Sequence, residues 1–297
     1  MRAVQVFLTG GTGYVGAHLA RALLARGHRL TLLARDPAKI PSWAGAADIR
    51  FVRGDLRDAA SLEPALRGHH ALIHNALIWD EEPTELDLVD PRATIALLHA
   101  AQRAAIPRLL YTSSTAVHRP FHARMSASDP LAPADFYGVT KATGELALWA
   151  VAQAHGLRGT VIRPSAVVGA PAFPGAPFKS DRRLENLVAR ARRGERLVVA
   201  RHDARQWIAA CDLAELYTRA LETDAGGTIL AVARDVVSWE DIAREIVRRV
   251  GTGEVHVEDT GLPADPFVFD TTDLDRTFGV TFEARAAVID HIAHLTR

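Results

Sequence analysis

The feature that most limits how this chain can fold is a glycine-punctuated turn close to its start. An apolar run from Val4 to Leu8 stops at Thr9, and Thr9-Gly10-Gly11-Thr12-Gly13-Tyr14-Val15-Gly16 then opens a helical stretch from Ala17 to Arg26. Glycines spaced like Gly10, Gly13 and Gly16 are common by chance, but between a strand and an amphipathic helix each meets a physical need. Gly10 permits the tight turn, Gly13 lets a pyrophosphate approach the backbone, and Gly16 lets the helix pack on the strand. The N–H groups of the first helical turn then face the phosphates. The turn predicts a dinucleotide site built from Gly10, Thr12, Gly13, Tyr14, Val15 and Gly16.

Short β-branched or leucine-rich runs continue at Leu30–Leu33, Ile49–Val52, Ala71–His74, Arg108–Thr112 and Gly159–Ile162. Between them lie helical patterns near Ala59–Leu66, Pro91–Ala104 and Phe136–Ala154. Such alternation predicts an α/β fold with a doubly wound parallel (Rossmann) sheet over residues 1–169. Residues 170–178 are rich in proline and glycine and predict a loop or lid. Beyond them come a helix near Ser180–Arg193, a strand at Leu197–Val199, a helix from about Asp212, a strand at Thr228–Val232 and a helix over Ser238–Val250, capped by Ser238. This stretch is too irregular to continue the sheet throughout. It predicts a smaller mixed α/β substrate lobe over residues 170–297, with some segments returning to the core.

With 297 residues, 48% hydrophobic and 24% charged, the chain can bury a large core. Its 35 basic and 35 acidic residues balance and form no basic block, which argues against nucleic acid and membrane surfaces and for a small-molecule substrate. No apolar stretch approaches a membrane span, and the first strand begins within a few residues of Met1, so a cytoplasmic protein without a signal peptide is expected. The single cysteine, Cys211, excludes an intramolecular disulfide, and having no evident activating partner it reads as an inert buried thiol. His69, His70 and His74 lack the helical spacing of a zinc site, and the acidic run Asp80, Glu81, Glu82, Glu85, Asp87 and Asp90 reads as a solvated face; no metal is expected.

A second constellation is Tyr137-Gly138-Val139-Thr140-Lys141. Four residues apart on a helix, Tyr137 and Lys141 share a face, and an ammonium near a phenol favours the phenolate. Tyr137 then becomes a candidate acid/base at neutral pH. Upstream, the strand Arg108–Thr112 runs out into Ser113-Ser114-Thr115, at the strand end where open α/β sheets bind ligands. Arg35 follows the second strand, and its guanidinium suits a 2′-phosphate, with Lys39 nearby. Asp36 could pair with Arg35 or serve the ribose itself. NADP is therefore preferred, with NAD possible.

Taken in order, these motifs resemble the extended short-chain dehydrogenase/reductases, which include nucleotide-sugar epimerases and dehydratases and the dihydroflavonol-type reductases. The resemblance covers nearly the whole chain. It implies that Ser114, Tyr137 and Lys141 form the catalytic set, with Ser113 as the alternative hydroxyl. It also implies cofactor contacts at Asp55 and Leu56, at Asn75 and Ala76, and at Pro164 and Ser165, together with Tyr137 and Lys141. Ser113, Trp79 and Arg205 are candidate substrate contacts; Arg205 matches an arginine that touches the diphosphate in nucleotide-sugar members, but could equally be structural. Trp79 and Trp207 could line the pocket or fill the core.

Three positions depart from the family pattern: Asp90 stands where many members carry asparagine, His118 where many carry tyrosine, and Gln206 replaces an acid. The residues favour an NAD(P)-dependent oxidoreductase acting on a carbonyl or secondary alcohol. A nucleotide-sugar 4-epimerase with retained NAD and a noncatalytic NADP-binding redox sensor are the alternatives. A homodimer through the helices Pro91–Ala104 and Phe136–Ala154 is the family habit.

Overall fold

Alternation at two periods builds the architecture: strands with apolar residues on both faces need cover on both sides, and amphipathic helices supply it. The computed structural model describes residues 3–36, 48–79, 85–223 and 226–297. In chain order they form β1 (Gln5–Thr9), α1 (Tyr14–Ala25), β2 (Arg29–Ala34), β3 (Ile49–Arg53), α2 (Glu63–Leu66), β4 (Ala71–His74), α3 (Val89–Arg103), β5 (Arg108–Thr112), β6 (Arg124–Met125) and α4 (Phe136–His155). There follow β7 (Arg158–Pro164), β8 (Ala166–Val168), α5 (Arg182–Arg192), β9 (Arg196–Ala200), β10 (Ala204–Ala209), α6 (Ala210–Glu222), β11 (Gly227–Ala231) and β12 (Val236–Ser238). The last elements are α7 (Trp239–Val250), β13 (Glu254–Glu258), β14 (Val268–Phe269), α8 (Thr272–Phe278) and α9 (Arg285–Leu295). Lys39 and Asp80, Glu81 and Glu82 lie outside the described residues.

The main sheet has seven parallel strands in the order β11-β7-β5-β4-β1-β2-β3. The chain winds outward from β1 in one direction, then restarts at β4 and winds in the other. The crevice at the carboxyl ends of β1 and β4, where Thr9 sits beside His74, is the switch point at which such sheets bind ligands. Side chains alternate as strands require. Val6, Leu8, Ile73, Leu110 and Ile162 face a core shared with α1 and α6, while Phe7, Leu72, Leu109, Tyr111 and Val161 face α3 and α4. Each large side chain fully buried in this way contributes about 1.5–3 kcal/mol.

One expectation changes. The helix expected over Ala59–Leu66 is a 3₁₀ segment, Leu56–Leu62, followed by the single turn of α2. Asp58 is non-helical (φ −115°, ψ 48°), and Pro64, which has no N–H to donate, is accommodated only because it falls in the first turn. After residue 170, β11 pairs in parallel with β7 and extends the sheet, and α6 packs on α1 in the main core. Three small sheets, β12-β10-β8, β13-β9 and β14-β6, lie outside the main sheet. Ser238 caps α7 as its spacing predicts, accepting from the Asp241 N–H at 3.0 Å.

A buried ion pair ties α4 to the sheet. Tyr137, Lys141 and Glu145 recur every four residues on one face, and Glu145 is fully buried. Its carboxylate accepts from Arg163 Nε at 2.9 Å and Arg163 Nη2 at 2.6 Å, and also from the Ser113 hydroxyl. Arg163 Nη1 reaches His118 Nε2 at 2.9 Å and the Ala127 carbonyl at 3.0 Å. Removing one partner strands the other charge away from water. Glu145→Leu is expected to cost about 3–5 kcal/mol in chemical denaturation, and Glu145→Leu with Arg163→Met to recover most of it.

Candidate active site

The glycine turn becomes one wall of a cleft of 1460 Å³ at the switch point. Gly10 adopts a left-handed φ of +71°, and a Cβ there would stand 2.7 Å from the Ala76 nitrogen. At Gly16 a Cβ would lie 1.9 Å from the Gly10 carbonyl oxygen, so only glycine lets α1 start this close to the strand. Gly13 is the N-cap of α1 and offers no side chain to the first-turn N–H groups, which leaves them and the helix dipole available to an anion. Tyr14 lines the cleft at the start of α1. Its ring is buried and its hydroxyl donates to the Gly169 carbonyl at 2.9 Å.

The expected contacts converge on this cleft. Arg35 after β2, Asp55 and Leu56 after β3, and Asn75 and Ala76 after β4 line it from one side, and Pro164 and Ser165 line it at the end of β7. Asp55 accepts from the Arg57 N–H at 2.9 Å, which starts the 3₁₀ segment. Behind the glycine turn, His74 bridges Thr9 Oγ1 (2.7 Å) and Thr94 Oγ1 (2.9 Å), and Thr9 in turn accepts from the Ala76 N–H (3.2 Å). Burial pushes His74 down to about 3, so it serves as a neutral spacer between hydroxyls. Among the described residues no cluster of three or more His, Cys, Asp or Glu side chains is placed to hold a metal ion, and no helix is long and apolar enough to cross a membrane.

Ser114, Tyr137 and Lys141 meet at the centre. Ser114 caps the 3₁₀ turn Thr115–His118, accepting from the Ala116 N–H at 3.1 Å, and its hydroxyl stands close enough to the Tyr137 phenol to lower it. Asp135 caps α4 on the Gly138 N–H at 2.6 Å and holds Arg119 at 2.6 Å. Lys141 is buried; it donates to the Thr112 carbonyl at 2.9 Å and stands 6.0 Å from the Tyr137 ring centre. Ser113 points the other way, its hydroxyl spent on Glu145.

Electrostatically the pair differs from the simple expectation of a lowered phenol. Burial pushes Tyr137 up, and the Ser114 hydroxyl and the Arg119 charge draw it only partly back. Burial also pushes Lys141 down to about 8, with Asp90 and Glu145 opposing that fall. Asp90 is itself buried, its carboxyl raised by burial against the pull of Lys141. It accepts from the Ile78 N–H at 2.7 Å, so the position that usually holds an amide here pins the loop after β4 as an acceptor.

Farther from the sheet the cleft runs between basic and aromatic side chains. Arg205 stacks 5.3 Å from the Trp207 ring and 5.0 Å from the Trp239 ring, and has no carboxylate within ion-pair distance among the described residues. Arg183, paired with Asp203 at 2.6 Å, covers the Trp239 ring at 3.9 Å. Trp79 and Trp207 both line the cleft: Trp79 meets the Tyr137 ring edge-on at 5.4 Å, and Trp207, 1% exposed, also belongs to the core. Sequence reasoning missed Arg119, Phe121, Phe267 and Phe269, which also line the cleft. The alternation Phe267-Val268-Phe269, one face of a strand, was the available signal. Cys211 is exposed rather than buried, at the outer side of the start of α6; partial burial and the neighbouring Asp212 push its thiol up.

The profile of the NAD dependent epimerase/dehydratase family matches residues 6–233. The chain is 36% identical over 175 residues to sterol demethylase protein B of Methylococcus capsulatus, covering 56% of this chain and 52% of that protein. It is 32% identical over 179 residues to a 3 beta-hydroxysteroid dehydrogenase/Delta 5-->4-isomerase of Mycobacterium tuberculosis, covering 56% and 47%. It thus spans about half the length of either relative. Its fold is similar to that of the Thermus thermophilus UDP-glucose 4-epimerase solved with NAD, with a TM-score of 0.77 at 21% identity and 98% of each chain covered. Glycine turn, switch-point cleft and matched profile agree: the chain belongs to the NAD dependent epimerase/dehydratase family, within the extended short-chain dehydrogenase/reductase enzymes.

Proposed function

We propose that the protein is an NAD(P)-dependent oxidoreductase that moves a hydride between nicotinamide and a carbonyl or secondary-alcohol carbon. The observation that carries this reading is the convergence of Ser114, Tyr137 and Lys141 in the same cleft as the uncapped start of α1. The residues fit a dinucleotide. The turn at Gly10–Gly16 leaves a cradle that Cβ atoms would fill, and Ser165 presents a buried hydroxyl without a partner among the described residues. The nicotinamide, when bound, supplies the hydride chemistry.

This chain's residues supply positioning and the proton. The first-turn N–H groups of α1 hold the pyrophosphate, and Ser165 would receive the nicotinamide carboxamide. Ser114 donates to the carbonyl oxygen, Tyr137 gives that oxygen its proton in reduction or removes it in oxidation, and Lys141 holds the nicotinamide ribose. A phenol kept protonated by burial suits the acid of a reduction. Arg35 beside the adenosine end supports NADP as the preferred cofactor. A nucleotide-sugar 4-epimerase with retained NAD is the second reading, favoured by the stacked, unpaired Arg205, which suits a diphosphate.

Steady NADPH consumption with a ketone panel is the expected outcome; tightly held NAD with UDP-sugar interconversion would select the epimerase instead. Tyr137→Phe is expected to lower kcat about 10²–10⁴-fold while nicotinamide binding persists, and unchanged turnover would refute the acid/base role. Arg35→Ala is expected to weaken NADPH binding relative to NADH in fluorescence titrations.

The Lys141 value sets a pH limit. Lys141 is held below the ordinary lysine value, so its charged form is complete well below pH 8 and is lost as pH rises through about 8. Reductive kcat/KM, which reports groups of the free enzyme, should therefore fall above about pH 8. Asp90→Asn keeps the acceptor for the Ile78 N–H but removes a charge that supports the ammonium. The alkaline limb of the profile should move to lower pH.

A further inference from the structure

We propose that the substrate carries an apolar ring next to its reacting carbon, seated on Phe121, Phe267 and Phe269 beside Tyr137. The inference rests on the hydride-transfer reading and names its substrate class. Phe121 lies 4.6 Å from Phe267 and 5.4 Å from Phe269 by ring centres, and Phe267 lies 6.0 Å from Phe269. All three line the catalytic cleft. Phe269 is 4% exposed and forms the base of the wall; Phe121 and Phe267 are half-buried and offer its surface. Arg119 connects this wall to the chemistry. Its guanidinium stands 5.7 Å from the Phe121 ring centre, and its charge is felt at the Tyr137 phenol. Trp79 adds a further aromatic surface against Tyr137.

The wall is built rather than incidental. Parallel pairing of β14 with β6 sets Phe269 opposite Met125, and Gln206 fixes the strand from behind. Gln206 Oε1 accepts from the Phe269 N–H at 2.6 Å, while Nε2 donates to the Ala233 carbonyl at 2.8 Å and the Phe269 carbonyl at 3.3 Å. A carboxylate at this position could accept but not donate, so only the amide makes the whole clamp. The clamp spends Gln206, and Asp135 engages Arg119 through Nη1. A polyol ring pressed on the phenyl faces themselves would surrender hydration without regaining hydrogen bonds from them, whereas a phenyl or alicyclic ring would gain apolar contact. Gln206 acts through Phe269 and is a positioning residue.

The test uses the full chain, loaded with oxidised cofactor for binding and supplied with NADPH or NADH for turnover, with 1-tetralone as the apolar cyclic ketone, dihydroxyacetone as the polar one and UDP-glucose as the nucleotide sugar. Calorimetry should show saturable binding of 1-tetralone, weakened at least tenfold in Phe267→Ser and in Phe121→Ser, with cofactor binding verifying that both variants fold. Gln206→Glu should raise KM for 1-tetralone more than it lowers kcat. Absence of 1-tetralone binding, equal binding in folded variants, or preferential turnover of dihydroxyacetone or UDP-glucose unaffected by Phe267→Ser would overturn the proposal while leaving hydride transfer standing. Conversely, 1-tetralone binding that depends on Phe267 but yields no NADPH or NADH oxidation would keep the wall and sink the hydride-transfer reading.

Discussion

One face of α4 carries charge into the protein, and the surroundings are arranged to make that tolerable. An isolated ammonium or carboxylate loses several kcal/mol of hydration when buried, so each must face an opposite charge or a set of dipoles. Lys141 has the Thr112 carbonyl as a hydrogen-bond partner and the charges of Asp90 and Glu145 nearby. Glu145 has the two-pronged Arg163 guanidinium and the Ser113 hydroxyl. Arg163 has His118 and the Ala127 carbonyl as well. The charges alternate from the start of α3 through α4 to β7, and the elements they join have ends that line the cleft. Specific geometry at Tyr137 thus depends on a network that extends well behind it.

The same arrangement explains why two serines in a row differ in use. Ser113 and Ser114 leave β5 on opposite sides, as successive residues of extended chain must. One hydroxyl turns inward and completes the shell of Glu145; the next turns toward the phenol and caps the following turn. A sequence motif names both, and only the alternation, together with the buried acid on α4, distinguishes them. Asp90 follows a similar logic. Its carboxylate can accept the Ile78 N–H as an amide oxygen would, but it also adds a negative charge near Lys141, so the substitution alters the electrostatics of the site more than its shape.

What was legible in the sequence was local. The turn from β1 to α1 is encoded within eight residues, and the pairing of Tyr137 with Lys141 within one helical turn, so propensity and period suffice. The buried strands of the first half were legible for the same reason. The 3₁₀ segment at Leu56–Leu62 was not, because an apolar pattern cannot reveal where a backbone leaves helical geometry, as it does at Asp58. A strand near β11 was legible too, but not its neighbour, because Gly227–Ala231 gains its place only by pairing with β7, far upstream. Phe121 and Phe267 are farther apart still, and nothing short of tertiary pairing between β6 and β14 brings them together.

The cleft therefore has two characters, and they constrain a substrate differently. At the Arg205 end, flat guanidinium groups lie on indole rings, a setting that keeps a positive charge partly dehydrated and ready for an anion. Near Tyr137 the lining adds phenyl and indole rings beside the Arg119 guanidinium. A charge can be attracted over several ångströms, so the basic end admits many anions and selects weakly among them. The rings act only on contact, and a polar group pressed against them without a partner is penalised directly. On the proposed reading, selection at the reacting carbon is governed by the aromatic wall, where orientation also matters most: a ring held flat against Phe121 and Phe267 would fix which face of its carbonyl meets the nicotinamide.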